Sequence, residues 1–320
     1  MTQQSDLAGA PVSGATVPGT GAPAVTVSPS RRARVDVFVP VVVAIVFLAG
    51  VLTVLYPTAS AWITQYQQSQ LISQMSDEVT LLPAEGIDEE LGLARLYNAG
   101  LTGQAVLEAN SNVPSGEGQS SAKIDYEQLL SANSSGLMSR IKIPKISADL
   151  PIYHGTSDET LLKGIGHLQG TSLPVGGAST HSVLTGHRGL ANAEMFTNLD
   201  RVAVGDTFTI EVYGDVLTYR VRETQVVEPT DTETLRLVPD ADLVTLVTCT
   251  PLGINTQRIL VTGERVTPTP AGDIAAAGSS PDVPGFPWWA PTLAACVLLT
   301  SVYLMWALRR PTAPRSRKRR

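Results

Sequence analysis

Two long uncharged apolar runs, Val37 to Tyr56 and Trp288 to Leu308, restrict this chain more than any other feature. Each approaches the roughly 20 residues that an α-helix needs to cross a hydrocarbon core about 30 Å thick. Arg31, Arg32 and Arg34 precede the first run. Arg309, Arg310, Arg315, Arg317, Lys318, Arg319 and Arg320 follow the second. Basic flanks on the outer side of both runs predict two transmembrane helices with both termini cytoplasmic and residues 57–287 outside. Trp288, Trp289 and Trp306 fall where amphipathic rings favour the two interfaces. Two other readings stand beside this one. Ala59-Ser-Ala61 after the first run resembles a signal-peptidase site, although the preceding region of 36 residues suits an uncleaved anchor better. The second run with its basic tail resembles a wall-sorting signal, but Ser280-Pro-Asp-Val-Pro-Gly-Phe286 stands where a Leu-Pro-x-Thr-Gly motif belongs.

Setting the flanks apart changes the charge balance. Ten of the 23 Lys and Arg lie in them, and only Asp6 and Asp36 of the 29 acidic residues precede the first helix, so the exterior part is about 14 charges negative. That argues against nucleic acid or an anionic surface as its partner. Cys296 lies inside the second run, leaving Cys249 as the single thiol outside, where a cysteine is buried or used.

Along the chain, residues 1–36 read as a disordered cytoplasmic tail rich in Gly, Ala, Pro, Ser and Thr. Residues 37–56 are the first membrane helix. Residues 57–135 form a helical and loop region: two helices broken near Pro83-Ala-Glu-Gly86, then a polar Gly/Ser/Asn-rich loop over 102–123 and a short helical piece at Tyr126 to Leu130. Residues 136–266 turn β-like. Strands are expected over Ser139 to Ile143, Ala148 to Ile152, His181 to Thr185, Thr207 to Val212, Leu217 to Glu223, Leu243 to Cys249 and Gln257 to Glu264, with a tight hairpin at Tyr213-Gly-Asp215. Many short strands with few helices between them indicate a β-barrel or sandwich. Residues 267–287, rich in Pro, Ala, Gly and Ser, read as a linker to the second membrane helix (288–308), and 309–320 as a basic cytoplasmic tail.

The chemistry concentrates around Cys249. It ends one β-branched run, and Arg258 opens the next, so paired strands would set a thiol and a guanidinium at facing ends. A cysteine nucleophile also needs an imidazole. The candidates are His154, His167, His181 and His187; His154 and His167 read as loop residues, His181 opens a strand, and His187 follows one. Composition alone leaves the choice open, along with a plain buried role for Cys249 and a solvated one for Arg258. Neither Cys-x-x-Cys nor His-x-x-x-His spacing occurs, so no metal is expected, and with no Walker-type glycine loop no cofactor is expected.

Thr245-Leu-Val-Thr-Cys249 matches the Thr-Leu-x-Thr-Cys motif of sortases, the cysteine transpeptidases of Gram-positive cell surfaces. Ile143-Pro-Lys-Ile146, Leu150-Pro-Ile-Tyr-His-Gly155, Gly164-Ile-Gly-His-Leu-Gln-Gly-Thr-Ser172, Leu184-Thr-Gly-His-Arg-Gly-Leu190 and Thr248 to Arg258 resemble the pilin-polymerising class C group, in family order, over about residues 90–266. The resemblance implies a closed sortase-type β-barrel with N-terminal helices and a lid loop, flanked by two membrane helices. It maps the nucleophile to Cys249, the general acid and base to His187 and the oxyanion-stabilising residue to Arg258. It further implies cleavage of a Leu-Pro-x-Thr-Gly-like sorting signal between Thr and Gly through a thioester, and transfer to a lysine amine of another pilin. Three alternatives remain: a housekeeping-type sortase that uses a peptidoglycan amine, a cysteine peptidase whose thioester water resolves, and a non-enzymatic surface protein. The sequence departs from class C at the lid. Between Asn98 and Tyr126 there is no Asp-Pro-aromatic segment, and Asn112-Val-Pro114 comes nearest.

Overall fold

In the computed structural model, residues 37–101, 124–131, 136–191, 193–231, 233–281 and 284–309 are described. The expected disordered tail (1–36), the lid loop (102–123) and most of the C-terminal basic tail lie outside them.

The first helix, α1 (Phe38–Leu81), is a single rod of 44 residues, about 66 Å long. The apolar run expected over 37–56 and the helix expected beyond it are thus one continuous element. Helix-favouring residues continue past Pro57, and the stretch after Gln65 has a face to bury: Gln68, Ser69, Ile72, Met75 and Val79 all pack inward. The break falls where proline predicts it, with Pro83 capping α2 (Ala84–Ala99). Leu91, Ala94 and Tyr97 of α2 are buried.

Eight strands close into a barrel in the order β1-β2-β3-β4-β7-β8-β6-β5. They are β1 (Leu137–Ile143), β2 (Ala148–His154), β3 (Ile165–His167), β4 (Thr180–Thr185), β5 (Thr207–Val212), β6 (Asp215–Val227), β7 (Asp242–Thr250) and β8 (Gln257–Arg265). Seven match the expected runs within a few residues. The eighth, β3, has three residues and escapes periodicity; it lies parallel to β2 and antiparallel to β4. Before it stands α3 (Asp158–Lys163), capped by the Ser157 side chain on Thr160 N. His154 and His167 therefore end strands instead of lying in loops. Between β5 and β6 the hairpin turns on Tyr213 and Gly214, with φ of 48° and 88°, and Val212 faces Asp215. Two positive φ values define the primed turn that matches strand twist.

The barrel is filled by residues such as Ile141, Ile152, Leu184, Phe208, Tyr219, Leu246 and Val261, all fully or almost fully buried. Outside it, the segment read as a linker is held down along its length. It contains α4 (Ala271–Ala275). Asp273 accepts from Thr218 Oγ1 at 2.7 Å, Ser279 O accepts from Arg140 at 2.8 Å, and Gly285 O accepts from Trp62 Nε1 at 2.7 Å. The chain then enters α5 (Trp289–Arg309). By length and composition, α1 and α5 are both able to cross a membrane.

Candidate active site

Three neighbouring strand ends build the site. In the antiparallel β7–β8 ladder, Cys249 is the direct partner of Arg258. Directly opposed residues project to one face of a sheet, so thiol and guanidinium share a side. On the other flank β4 runs parallel to β7, with Thr185 beside Val247. That register continues past the strand: Gly186 N donates to Val247 O at 3.1 Å, Thr248 Oγ1 donates to Gly186 O at 2.7 Å, and Arg188 Nη1 donates to Thr250 Oγ1 at 2.9 Å. His187 is bracketed by these bonds and lies level with Cys249. The row is thus His187, Cys249, Arg258 across three adjacent strands.

Alternation tells which face carries the row. Val244, Leu246, Ile259 and Val261 point into the barrel core. Their sequence neighbours Val247 and Leu260 join Val183, Leu168 and Leu235 in a separate small cluster. With side chains alternating every residue, Cys249 and Arg258 belong to this second, outward face. The dry cluster beneath them is their floor.

Burial sets the electrostatics. Cys249 is half-buried and forms no disulfide; burial pushes its thiol above the usual 9.0, and the Arg258 charge pulls it back. Arg258 is 3% exposed, which removes the solvated reading. Its Nη1 donates to Asn255 O at 3.0 Å and Gln257 O at 3.1 Å, tying the guanidinium to the β7–β8 turn. His187 is also half-buried. Burial lowers its imidazole below the ordinary 6.5, opposed by the Asp158 carboxylate.

The other three histidines are buried and engaged at both ring nitrogens. His154 bonds Gly136 O at 3.0 Å and Leu129 O at 2.7 Å. His167 sits between the Tyr126 hydroxyl at 2.9 Å and Ser172 O at 2.9 Å, and burial pushes its pKa down to about 4. His181 bridges Arg236 O at 2.9 Å and Thr245 Oγ1 at 2.7 Å. Four histidines equivalent in composition are separated by burial into three structural pins and one group at the thiol's side.

Two supporting residues had no role in the sequence reading. Arg188 donates to Thr197 O at 3.1 Å and pairs with Asp200 at 2.8 Å, closing the loop after His187. Thr248 holds the Gly186 carbonyl and so sets the height of His187. Both lie in segments that carry the resemblance: Thr248 is the second threonine of Thr-Leu-Val-Thr-Cys249, and Arg188 follows the histidine of Leu184-Thr-Gly-His-Arg-Gly-Leu190. Among the described residues no group of three His, Cys, Asp or Glu side chains is placed to hold a metal ion.

A half-buried thiol flanked by an imidazole and a guanidinium can form an acyl-enzyme and stabilise its tetrahedral precursor. Comparison with known proteins places the chain's sequence and fold. Residues 141–266 match the sortase domain family model. Sortase C-1 from Actinomyces oris is 48% identical, with a TM-score of 0.52 over 57% of this chain and 98% of that one. Sortase C1 from Streptococcus agalactiae is 40% identical, with a TM-score of 0.55 over 62% of this chain and 98% of that one. The Streptococcus pneumoniae sortase C, a structure described as bearing on catalysis and pilin substrate specificity, is 36% identical with a TM-score of 0.55, over 62% and 96%. Sortase D of Bacillus subtilis is 32% identical over 130 residues, 40% of this chain and 63% of that protein.

Proposed function

The chain belongs to the sortase family, among its class C members, and from that premise we propose that it is a membrane-anchored cysteine transpeptidase that polymerises pilins. The observation that carries this reading is the row of His187, Cys249 and Arg258 on one outward face of three adjacent strands. The Cys249 thiolate attacks the threonine carbonyl carbon of a Leu-Pro-x-Thr-Gly-like signal. Arg258 faces the oxyanion that forms, a contribution of about 3–4 kcal/mol for a well-placed donor. His187, as imidazolium, protonates the glycine nitrogen as the C–N bond breaks, leaving a thioester on Cys249. A lysine amine of the next pilin then attacks the thioester. Its proton passes to His187, an isopeptide bond forms and the thiolate leaves. The energy of the cleaved peptide bond is carried in the thioester, so no nucleotide enters.

In this reading α1 and α5 span the bilayer, both termini are cytoplasmic and the barrel faces the exterior. The test uses the full chain in detergent with a Leu-Pro-x-Thr-Gly peptide and a pilin bearing a candidate lysine, followed by intact mass spectrometry. A thioester adduct that moves to the lysine, absent in Cys249→Ala, supports the proposal. An adduct released only by water or a peptidoglycan-like amine would turn the reading to a peptidase or wall-anchoring sortase, and no adduct at all would end it.

A further inference from the structure

Contacts along α1 orient the barrel. Residues Ala61 to Gln68 of α1 lie beside the β1–β2 turn at Ile146 to Ala148 and beside Ala193 to Met195. Further up the rod, Met75 to Thr80 lie beside the Tyr213-Gly214 hairpin. The β1–β2 turn and the loop after His187 belong to the end of the barrel that carries Cys249, while the hairpin belongs to the opposite end. Since the apolar span occupies the beginning of α1, the catalytic end points toward it.

The separation is short. Ser60 Oγ donates to Tyr56 O of its own helix at 2.8 Å and lies 3.4 Å from Ala191 O, four residues after His187. Ser60 stands four residues beyond Tyr56, or about 6 Å along the helix, and each headgroup layer is itself about 5–7 Å deep. An aromatic cluster marks the same level: Trp62 stacks on Tyr66 with centroids 5.4 Å apart and meets Trp289 of α5 edge-on at 6.2 Å. The β7–β8 turn, Pro251 to Thr256, is tied to this level through Leu252, which packs on the bare Cα of Gly189; a Cβ there would come within 2.3 Å of it. The turn carries no charge. Its two large apolar side chains are open, Leu252 at 56% and Ile254 at 68%.

We propose that the β7–β8 turn is a membrane-contacting element whose Leu252 and Ile254 enter the headgroup layer, holding Cys249 at the bilayer surface. The inference rests on reading α1 and α5 as membrane spans. The lipid surface is the favoured partner because the apolar tip is continuous, through Gly189, Ala191 and Ser60, with the point where both apolar helices meet it.

The full chain, with Cys249→Ser and Cys296→Ser, is reconstituted into phosphatidylcholine–phosphatidylglycerol vesicles and spin-labelled at a single new cysteine. Leu252→Cys and Ile254→Cys report the turn, Ala178→Cys the far end of the barrel and Val46→Cys the span. We expect the ratio of oxygen to water-soluble nickel-chelate collisions at 252 and 254 to lie between the lipid-like ratio at 46 and the water-like ratio at 178, clearly above the latter. Labels at 252 and 254 that behave like 178 while 46 remains lipid-like would overturn the inference and leave the spans intact. A water-like label at 46 would overturn both. Neither outcome depends on transpeptidase activity, so the proposed reaction is judged separately.

Discussion

Replacing Arg140 by alanine tests how this barrel tolerates a charge in its wall. The side chain is 1% exposed. Its Nε and Nη2 donate to the two oxygens of Asp149 at 2.6 and 2.5 Å, and Nη1 donates to Ser279 O at 2.8 Å and to Glu211 at 3.4 Å. Asp149 is itself 8% exposed. Glu211 keeps a second cation, Lys142 at 3.1 Å. Removing one partner of a buried pair typically costs about 3–5 kcal/mol, because the remaining charge stays desolvated. For a unit of 150–250 residues each kcal/mol lowers the melting midpoint by about 2–4 °C, so Arg140→Ala should lower it by roughly 6–20 °C. Replacing Arg140 and Asp149 together by leucines should recover most of that loss, since an apolar pair carries no desolvation penalty. Circular dichroism of the full chain in detergent reads both midpoints. A single variant that shifts by less than about 2 °C, or a double variant that falls as far as the single, would refute the reasoning.

Two further expectations follow from titration. With His187 below 6.5 and Cys249 above 9.0, the thiolate–imidazolium pair is a minority form whose population is flat between the two values. Plots of kcat/KM against pH should therefore show a broad plateau, its acid limb below pH 6.5 and its alkaline limb above pH 9.0. Arg258→Ala should lower the plateau about 10²–10³-fold and move the alkaline limb to still higher pH, because Arg258 is what lowers the thiol; an alkaline limb that moves down contradicts this. His167 titrates near 4 when folded against 6.5 when exposed. The unfolded chain binds the extra proton between these values, so stability should hold above pH 6.5 and fall toward pH 4 by about 3 kcal/mol in all. Denaturant unfolding of His167→Gln across that range should show a shallower slope, the remainder coming from His181 and His187, which burial also lowers.

Much of the barrel was legible in advance, and the failures have definite causes. The strand Thr207–Val212 is legible because apolar Phe208, Ile210 and Val212 alternate with polar residues and a Gly-containing turn closes it. β3 was missed because three residues show no period, and its pairing with both β2 and β4 is long-range. The continuity of α1 was missed because the change from an all-round apolar run to a single buried stripe resembles a boundary, whereas the backbone passes through Pro57 without one. The order within the linker is a tertiary property as well. Gly, Ala, Ser and Pro describe a flexible composition, but Arg140, Thr218 and Trp62 hold its backbone and side chains from three distant points.

The catalytic row divides along the same line. Cys249 and Arg258 face each other across one hairpin, and hairpin register is a local property that nearby residues specify. The two uncharged runs are local as well, so the candidate spans were readable from composition alone. His187 lies two residues past β4, a strand that pairs in parallel with β7. Parallel neighbours need a crossover, so no short-range pattern records the pairing. Spacing alone left four histidines open and the resemblance pointed to His187; the tertiary structure adds that the other three are buried against carbonyls and hydroxyls. Only it could turn the catalytic end toward the apolar half of α1, because that direction depends on which strand ends meet Ser60 and which meet Met75.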